Sequence, residues 1–203
     1  MNALIIVDVQ IDFCPGGALA VREGDQVVPV INRLQPRFDL LVATQDWHPA
    51  NQGSFAANHP GQEPGELIEL AGLPQILWPV HCVQGTRGAE LHPALDRSRI
   101  AEVIRKGTDP DIDSYSGFFD NGRHAATGLE KYLRDRHVNG VYICGLATDH
   151  CVKATALDAL SLGFKTHFIE DASRGVELRP GDIRRAIEVM RAKGVIVVQS
   201  HLL

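Results

Sequence analysis

Val141-Tyr142-Ile143-Cys144-Gly145-Leu146-Ala147-Thr148-Asp149-His150-Cys151-Val152 is the stretch from which the rest of the chain is read. Its first residues form an apolar, β-rich run, Gly145 punctuates it, and an amphipathic run over 151–162 follows. A strand turning into a helix is the expectation, with Thr148 or Asp149 where an N-cap belongs. Cys151 then falls in the first helical turn, where unpaired N–H groups and the helix dipole favour thiolate over thiol. Taken by itself, Cys151 reads first as a small core residue, the usual place of a free cysteine. Two distant positions weigh against that. Asp8 ends the first strand and Lys106 a middle one, and in a parallel sheet both arrive at the edge where the turn before Cys151 lies.

Outward from this stretch the pattern repeats. Residues 2–9 form a continuously apolar strand, as do 39–44, 100–104, 164–169 and 195–198. Helical spacing runs over 24–34, 128–137 and 181–192. The alternation predicts an α/β fold, three-layer α/β/α, with a mainly parallel sheet of about six strands and ligands beyond the strands' carboxyl ends. One domain over 1–203 is expected, interrupted at about 50–97 by an insert dense in Gly, Pro, Asn and His. So long an insert is usually functional or disordered; Leu77 and Trp78 argue that this one is ordered and lines a site.

Composition narrows the class. With 44% hydrophobic and 22% charged residues the chain is an ordinary globular protein, and a formal charge of -5 offers no basic patch for nucleic acid or an anionic membrane. No run approaches the roughly 18 apolar residues that span a bilayer, and the first residues enter a strand without a basic leader. The expectation is a cytoplasmic protein. The cysteines at 14, 82, 144 and 151 show no Cys-x-x-Cys spacing, which suits a reducing compartment where a thiol serves as a reagent. Exposed helix faces leave room for a homo-oligomer, although no interface is evident.

The polar residues at strand ends are Asp8, Asp46, Lys106, Cys151 and Asp171, with His48 just beyond the second strand. Several unlike groups deliverable to one edge suggest an active site. Asp46 and His48, two residues apart, project to the same side of an extended backbone, and Trp78-Pro79-Val80-His81 brings a second imidazole from the insert. One carboxylate and two imidazoles suit zinc, iron or manganese. The other reading leaves Asp46 as a turn cap and both histidines as loop residues. His150, next to Cys151 but about 100° around a helix axis, is assigned a packing or supporting role.

Together, Ile6-Val7-Asp8-Val9-Gln10-Ile11-Asp12-Phe13, Thr44-Gln45-Asp46-Trp47-His48-Pro49, Trp78-Pro79-Val80-His81-Cys82-Val83, Arg105-Lys106-Gly107, Tyr115-Ser116-Gly117-Phe118 and Gly145-Leu146-Ala147-Thr148-Asp149-His150-Cys151-Val152 resemble the bacterial nicotinamidases. These are a branch of the isochorismatase-like cysteine hydrolases. The likeness runs essentially end to end. The Asp, Lys and Cys positions belong to the wider superfamily, whereas Asp-Trp-His with Trp-Pro-x-His-Cys marks the branch.

The resemblance implies hydrolysis of nicotinamide, and of pyrazinamide, through a cysteine thioester, in NAD salvage. It implies Asp8 as general base, Lys106 as the charge that steadies Asp8 and the thiolate, and Cys151 as nucleophile. It further implies an oxyanion hole from the Ala147 and Cys151 N–H groups, a cis bond between Leu146 and Ala147, and a substrate pocket of Phe13, Trp78, Tyr115 and Ala147. Asp46, His48 and His81 would hold one divalent metal ion, zinc first, with iron or manganese also suited. Where some relatives have a further histidine ligand, Gln52 and Ser54 stand here, so Ser54 through water, or His59, would complete the site. The rival readings are a hydrolase of another small amide or an isochorismatase-type substrate, an iron oxygenase built on the two histidines and Asp46, and a non-catalytic binding module.

Overall fold

The computed structural model describes residues 1–203. Strand β1 (Asn2–Val7) is the centre of a six-stranded sheet, paired in parallel to β2 (Leu40–Asp46) on one side and to β6 (Gly140–Leu146) on the other. Beyond β2 lies β5 (Ile100–Lys106), and beyond β6 come β7 (Lys165–Arg174) and β8 (Ile196–Val198). The order is β5-β2-β1-β6-β7-β8, and every adjacent pair is parallel. The chain builds outward from β1 through β2 to β5, returns to β6 and builds the other way. The crevice between the carboxyl ends of β1 and β6 is therefore the topological switch point, where open α/β sheets bind ligands.

Alternation along the strands feeds two cores. Leu4 and Ile6 of β1, Leu41 and Ala43 of β2, and Cys144 and Leu146 of β6 pack against Val27, Val28, Ile31 and Leu34 of α1 (Val27–Leu34). Ala3, Ile5 and Val7 face the opposite layer. That layer is α2 (Leu129–Asp135), α3 (Lys153–Ser161) and α4 (Asp182–Lys193), through Leu129, Leu133, Ala156, Ala159, Ile187 and Met190. A strand covered on both faces has no reason to carry polar residues until it ends, which is why β1 and β6 read as unbroken apolar runs.

The insert contains an element that the sequence reading does not resolve. Strands β3 (Leu67–Leu70) and β4 (Leu73–Ile76) form an antiparallel hairpin closed by Ala71 and Gly72, both at positive φ, in the manner of a two-residue turn. Pro74 inside the second strand hides it from a β-pattern reading. The rest of the insert is sewn to the fold by isolated bridges, Phe55 to Trp78, His48 to Val83 and Gln10 to Leu91. Phe55 and Leu77 are fully buried beneath it. No helix is long and apolar enough to cross a membrane.

Two expectations change. Neither Thr148 nor Asp149 caps a helix: Thr148–Val152 is a π-helical turn, and α3 begins only at Lys153. Asp149 instead accepts hydrogen bonds from the Val176 and Glu177 N–H groups at 2.9 and 2.8 Å, tying a distant loop to this turn. Asp171 does not join the other strand-end residues, because it accepts from the Ser200 N–H and hydroxyl near the chain's end.

Candidate active site and metal centre

β1 ends at Val7, and Asp8 follows it as a non-glycine residue in the left-handed region at φ 48°. Beside it in β2 stands Thr44, the residue after Ala43, which pairs with Ile6. The Thr44 hydroxyl accepts from the Asp8 N–H at 3.2 Å and donates to Asp8 Oδ1 at 2.6 Å, which fixes the carboxylate. Asp8 Oδ2 has no partner other than the Lys106 ammonium. Lys106 closes β5 opposite Asp46, and its ammonium lies 2.9 Å from Asp8 Oδ2, 2.5 Å from Asp46 Oδ1 and 2.9 Å from the Ser114 carbonyl. From the other side of the switch point Cys151 brings Sγ to 3.4 Å from the same ammonium. The ligand atoms of Asp8, Asp46 and Cys151 all lie within 4.8 Å of one another.

Gly145 makes this convergence sterically accessible. It sits at φ 112°, and a Cβ there would meet the Val7 carbonyl at 2.1 Å, so only glycine lets β1 and β6 approach at their ends. The bond joining Leu146 to Ala147 is cis, as the resemblance implies.

The electrostatics follow from burial. Lys106 is fully enclosed, which alone would lower its pKa, but the carboxylates of Asp46 and Asp8 outweigh that and hold it well above the lysine range. Burial raises Asp8 to about 6 against the pull of Lys106. Asp46, also buried, is instead held well below the carboxylate range by Lys106 and the two histidines. Burial pushes the Cys151 thiol well above the usual cysteine value. Lys106 opposes that shift, while Asp8, Asp46 and Asp113 add to it. Burial thus works against the thiolate that the turn was expected to favour, and Lys106 is the group that favours it.

Asp46, His48 and His81 present one ligand atom each, all within 4.8 Å of one another. Each imidazole is held through its other nitrogen: His48 Nδ1–H donates to the Gly107 carbonyl at 2.9 Å and His81 Nδ1–H to the Pro79 carbonyl at 2.8 Å. Both Nε2 lone pairs are thereby left for a cation, the arrangement that orients metal-binding histidines. Gly107 allows it, since a Cβ there would lie 2.4 Å from the His48 ring. The donor set of one carboxylate and two neutral imidazoles fits a divalent metal with open positions. The edge of Phe55 packs on both rings. Ser54, next to it, is buried with an Oγ that has no hydrogen-bond partner, whereas His59 stands outside the cluster with Nε2 on the Gly53 carbonyl at 2.7 Å.

A cavity joins the two centres, lined by Phe13, Trp78, Tyr115, Ala147 and Cys151 among others, with Asp46, His48 and His81 on the same wall. All four residues expected to contact substrate are there. Trp78 Nε1–H and Gln75 Nε2–H both donate to the Tyr115 hydroxyl, at 3.1 and 3.0 Å, so that one wall is fixed by the hairpin. His150 also faces the cavity, edge-on to Trp78 with ring centroids 4.9 Å apart, in keeping with a supporting role. Leu19, Val176 and Asp113 line it as well and are not marked by any pattern in the sequence. Thr44 is also missed, since its bond to Asp8 depends on how β1 and β2 pair.

Comparisons with known proteins give the family and the fold. A family model described as the isochorismatase domain matches residues 2–201. A nicotinamidase of Escherichia coli (strain K12) is 54% identical over 197 residues, covering 95% of this chain and 92% of its own. Among solved structures, a nicotinamidase/pyrazinamidase of Acinetobacter baumannii superimposes with a TM-score of 0.96 at 50% identity, over 100% of this chain and 98% of that one. A pyrazinamidase of Pyrococcus horikoshii, in complex with zinc, gives 0.79 at 43% identity over 98% of each chain. The switch-point crevice holding Asp8, Lys106 and Cys151, the sheet order and the matched residues 2–201 point the same way: the chain belongs to the isochorismatase family.

Proposed function

We propose that this protein is a nicotinamidase, hydrolysing nicotinamide to nicotinate and ammonia, with pyrazinamide as a second substrate, in NAD salvage. The observation that carries the reading is one cavity reaching two centres, the Cys151 sulfur beside the ammonium that Lys106 shares with Asp8, and the Asp46, His48 and His81 cluster, with Phe13 and Trp78 on its walls.

In this reading Asp8 takes the Cys151 proton, and Lys106 balances the negative charge passing between them. The sulfur attacks the carboxamide carbon while the Ala147 and Cys151 N–H groups receive the developing oxyanion. The C–N bond then breaks, the proton held by Asp8 leaves with ammonia, and an acyl-Cys151 thioester remains. Asp8, again a carboxylate, deprotonates the attacking water. The C–S bond breaks, nicotinate departs, and Cys151 recovers its proton. Asp46, His48 and His81 would hold the metal ion, zinc by this reading, with Ser54 contributing through water. When bound, the ion supplies a Lewis-acid anchor for a ring nitrogen. Phe13 and Trp78 sandwich the ring and Tyr115 closes the pocket.

The test is ammonia release from nicotinamide by the native protein, by the protein treated with a chelator, and by Cys151→Ala. Release that stops in the variant and falls on chelation is expected. Near-normal turnover by Cys151→Ala would overturn the reading.

A further inference from the structure

His150 is the one side chain that lines both the cavity holding Cys151 and a separate groove on the outside of the molecule. That groove is lined by Leu67 and Ile76 of the β3–β4 hairpin, Leu157 of α3 and Val189 of α4. The placement of His150 follows from the turn that carries it. In an α-helix His150 and Cys151 would point about 100° apart, but Thr148–Val152 is a π-helical turn, closed by the Val152 N–H on the Ala147 carbonyl at 3.1 Å. Such a turn holds one residue more than an α-helical one, and both neighbours reach the same cavity.

The imidazole is wedged in place rather than bonded. It lies edge-on to Trp78 with ring centroids 4.9 Å apart and tilted against Tyr115 at 5.7 Å. Those two rings are themselves fixed, since Trp78 Nε1–H donates to the Tyr115 hydroxyl at 3.1 Å. His150 Nε2 stays 3.9 Å from Asp149 Oδ2, beyond hydrogen-bond reach, because Asp149 gives its oxygens to the Val176 and Glu177 N–H groups. Burial holds the His150 pKa below the usual imidazole value against the pull of Asp149, so the ring is neutral near pH 7. A neutral ring held by packing alone supplies volume, and here that volume stands between the cavity and the groove.

We propose that His150 is a specificity-determining residue, a partition that closes the pocket to heteroaromatic amides bearing a substituent on the ring. Removing it opens the pocket into the groove, whose apolar walls would stabilise a hydrocarbon substituent by burying it. The inference rests on the amidase reading and adds to it the limit on ring size.

The experiment uses nicotinamide and nicotinamides carrying a phenyl group on each free ring carbon in turn, with the native protein and the variants His150→Ala, His150→Ser and His150→Phe. Ammonia release gives kcat/KM for each amide, and calorimetry with each variant in the Cys151→Ala background gives affinity without turnover. For at least one phenyl amide, kcat/KM relative to nicotinamide should rise about tenfold or more in both small variants, with a matching gain in relative affinity. In His150→Phe, which keeps the bulk of the ring, both ratios should stay within about threefold of native. A merely structural role would move all the amides together. Ratios unchanged in folded His150→Ala and His150→Ser, or raised as much in His150→Phe, overturn the partition and leave the amidase reading intact. That reading fails separately, if the native protein releases no ammonia from nicotinamide, and the calorimetric ratios then still decide the role of His150.

Discussion

Lys106 is the buried cation of the carboxyl edge, and its ammonium is shared by Asp8, Asp46 and Cys151. Removing it leaves two enclosed carboxylates facing each other with nothing between, so in metal-free protein Lys106→Met should cost about 3–5 kcal/mol. Denaturant unfolding would show this as a lower midpoint, and a loss under about 1 kcal/mol would mean that the pair relaxes to solvent. Thr44 acts more gently. Its hydroxyl donates to Asp8 Oδ1 and favours the ionised form, so Thr44→Val should raise the Asp8 pKa further above its position of about 6. Because the base works as a carboxylate, activity rises as pH climbs through that value; in the variant the acid limb of kcat/KM moves to higher pH. A limb that stays in place would remove Asp8 from the role of base. Asp8, Lys106 and Cys151 were legible in the sequence because each stands where an apolar run stops. Asp113 was not, since nothing in Asp109-Pro110-Asp111-Ile112-Asp113 tells the buried carboxylate from the two beside it.

At the scale of elements, the strands and helices of the sheet were readable because each must bury a continuous face, and burial writes a period into the sequence. The turn carrying Cys151 was readable only in outline. Thr148 and Asp149 look like local caps, yet Asp149 spends both carboxylate oxygens on Val176 and Glu177, and no local pattern announces a partner so distant along the chain. This contact joins the nucleophile's turn to a cavity wall, since Val176 lines the pocket. Asp149→Ala leaves two backbone N–H groups, one on each residue, without their acceptor and should cost about 2–4 kcal/mol. The wall should loosen as well, raising KM for nicotinamide more than it lowers kcat. Unchanged unfolding and an unchanged KM would show that the loop is held by other means. The hairpin β3–β4 escapes prediction because its strands are short and Pro74 interrupts the second, and the bridges of the insert because each is a single pairing, such as Phe55 to Trp78, too short to leave a period.

Across the whole molecule, the Asp46, His48 and His81 cluster is the point at which the insert is fastened to the sheet. Asp46 ends β2, His48 follows it, and His81 arrives from the insert four residues beyond Leu77. A cation bound by all three ties these parts together in the folded state and has no comparable site in the unfolded chain, so binding should appear as stability. At a hundredfold excess over its Kd the linkage amounts to about 2.7 kcal/mol, which for a chain of this length is a rise in Tm of about 5–10 °C. Cys151→Ala is the suitable background, because it removes the nucleophile without touching the three ligands and frees the measurement from turnover. His81→Ala in that background should abolish the rise. Hydrogen exchange should place the protection gained on metal binding in residues 47–83 more than in β6 or α3, since the latter contribute no ligand. A Tm that ignores added zinc, iron and manganese alike would show that the cluster is not a metal site in this protein. Protection spread evenly over the sheet would show that the cation acts on global stability and leaves the fastening of the insert to Phe55, Leu77 and the bridges alone.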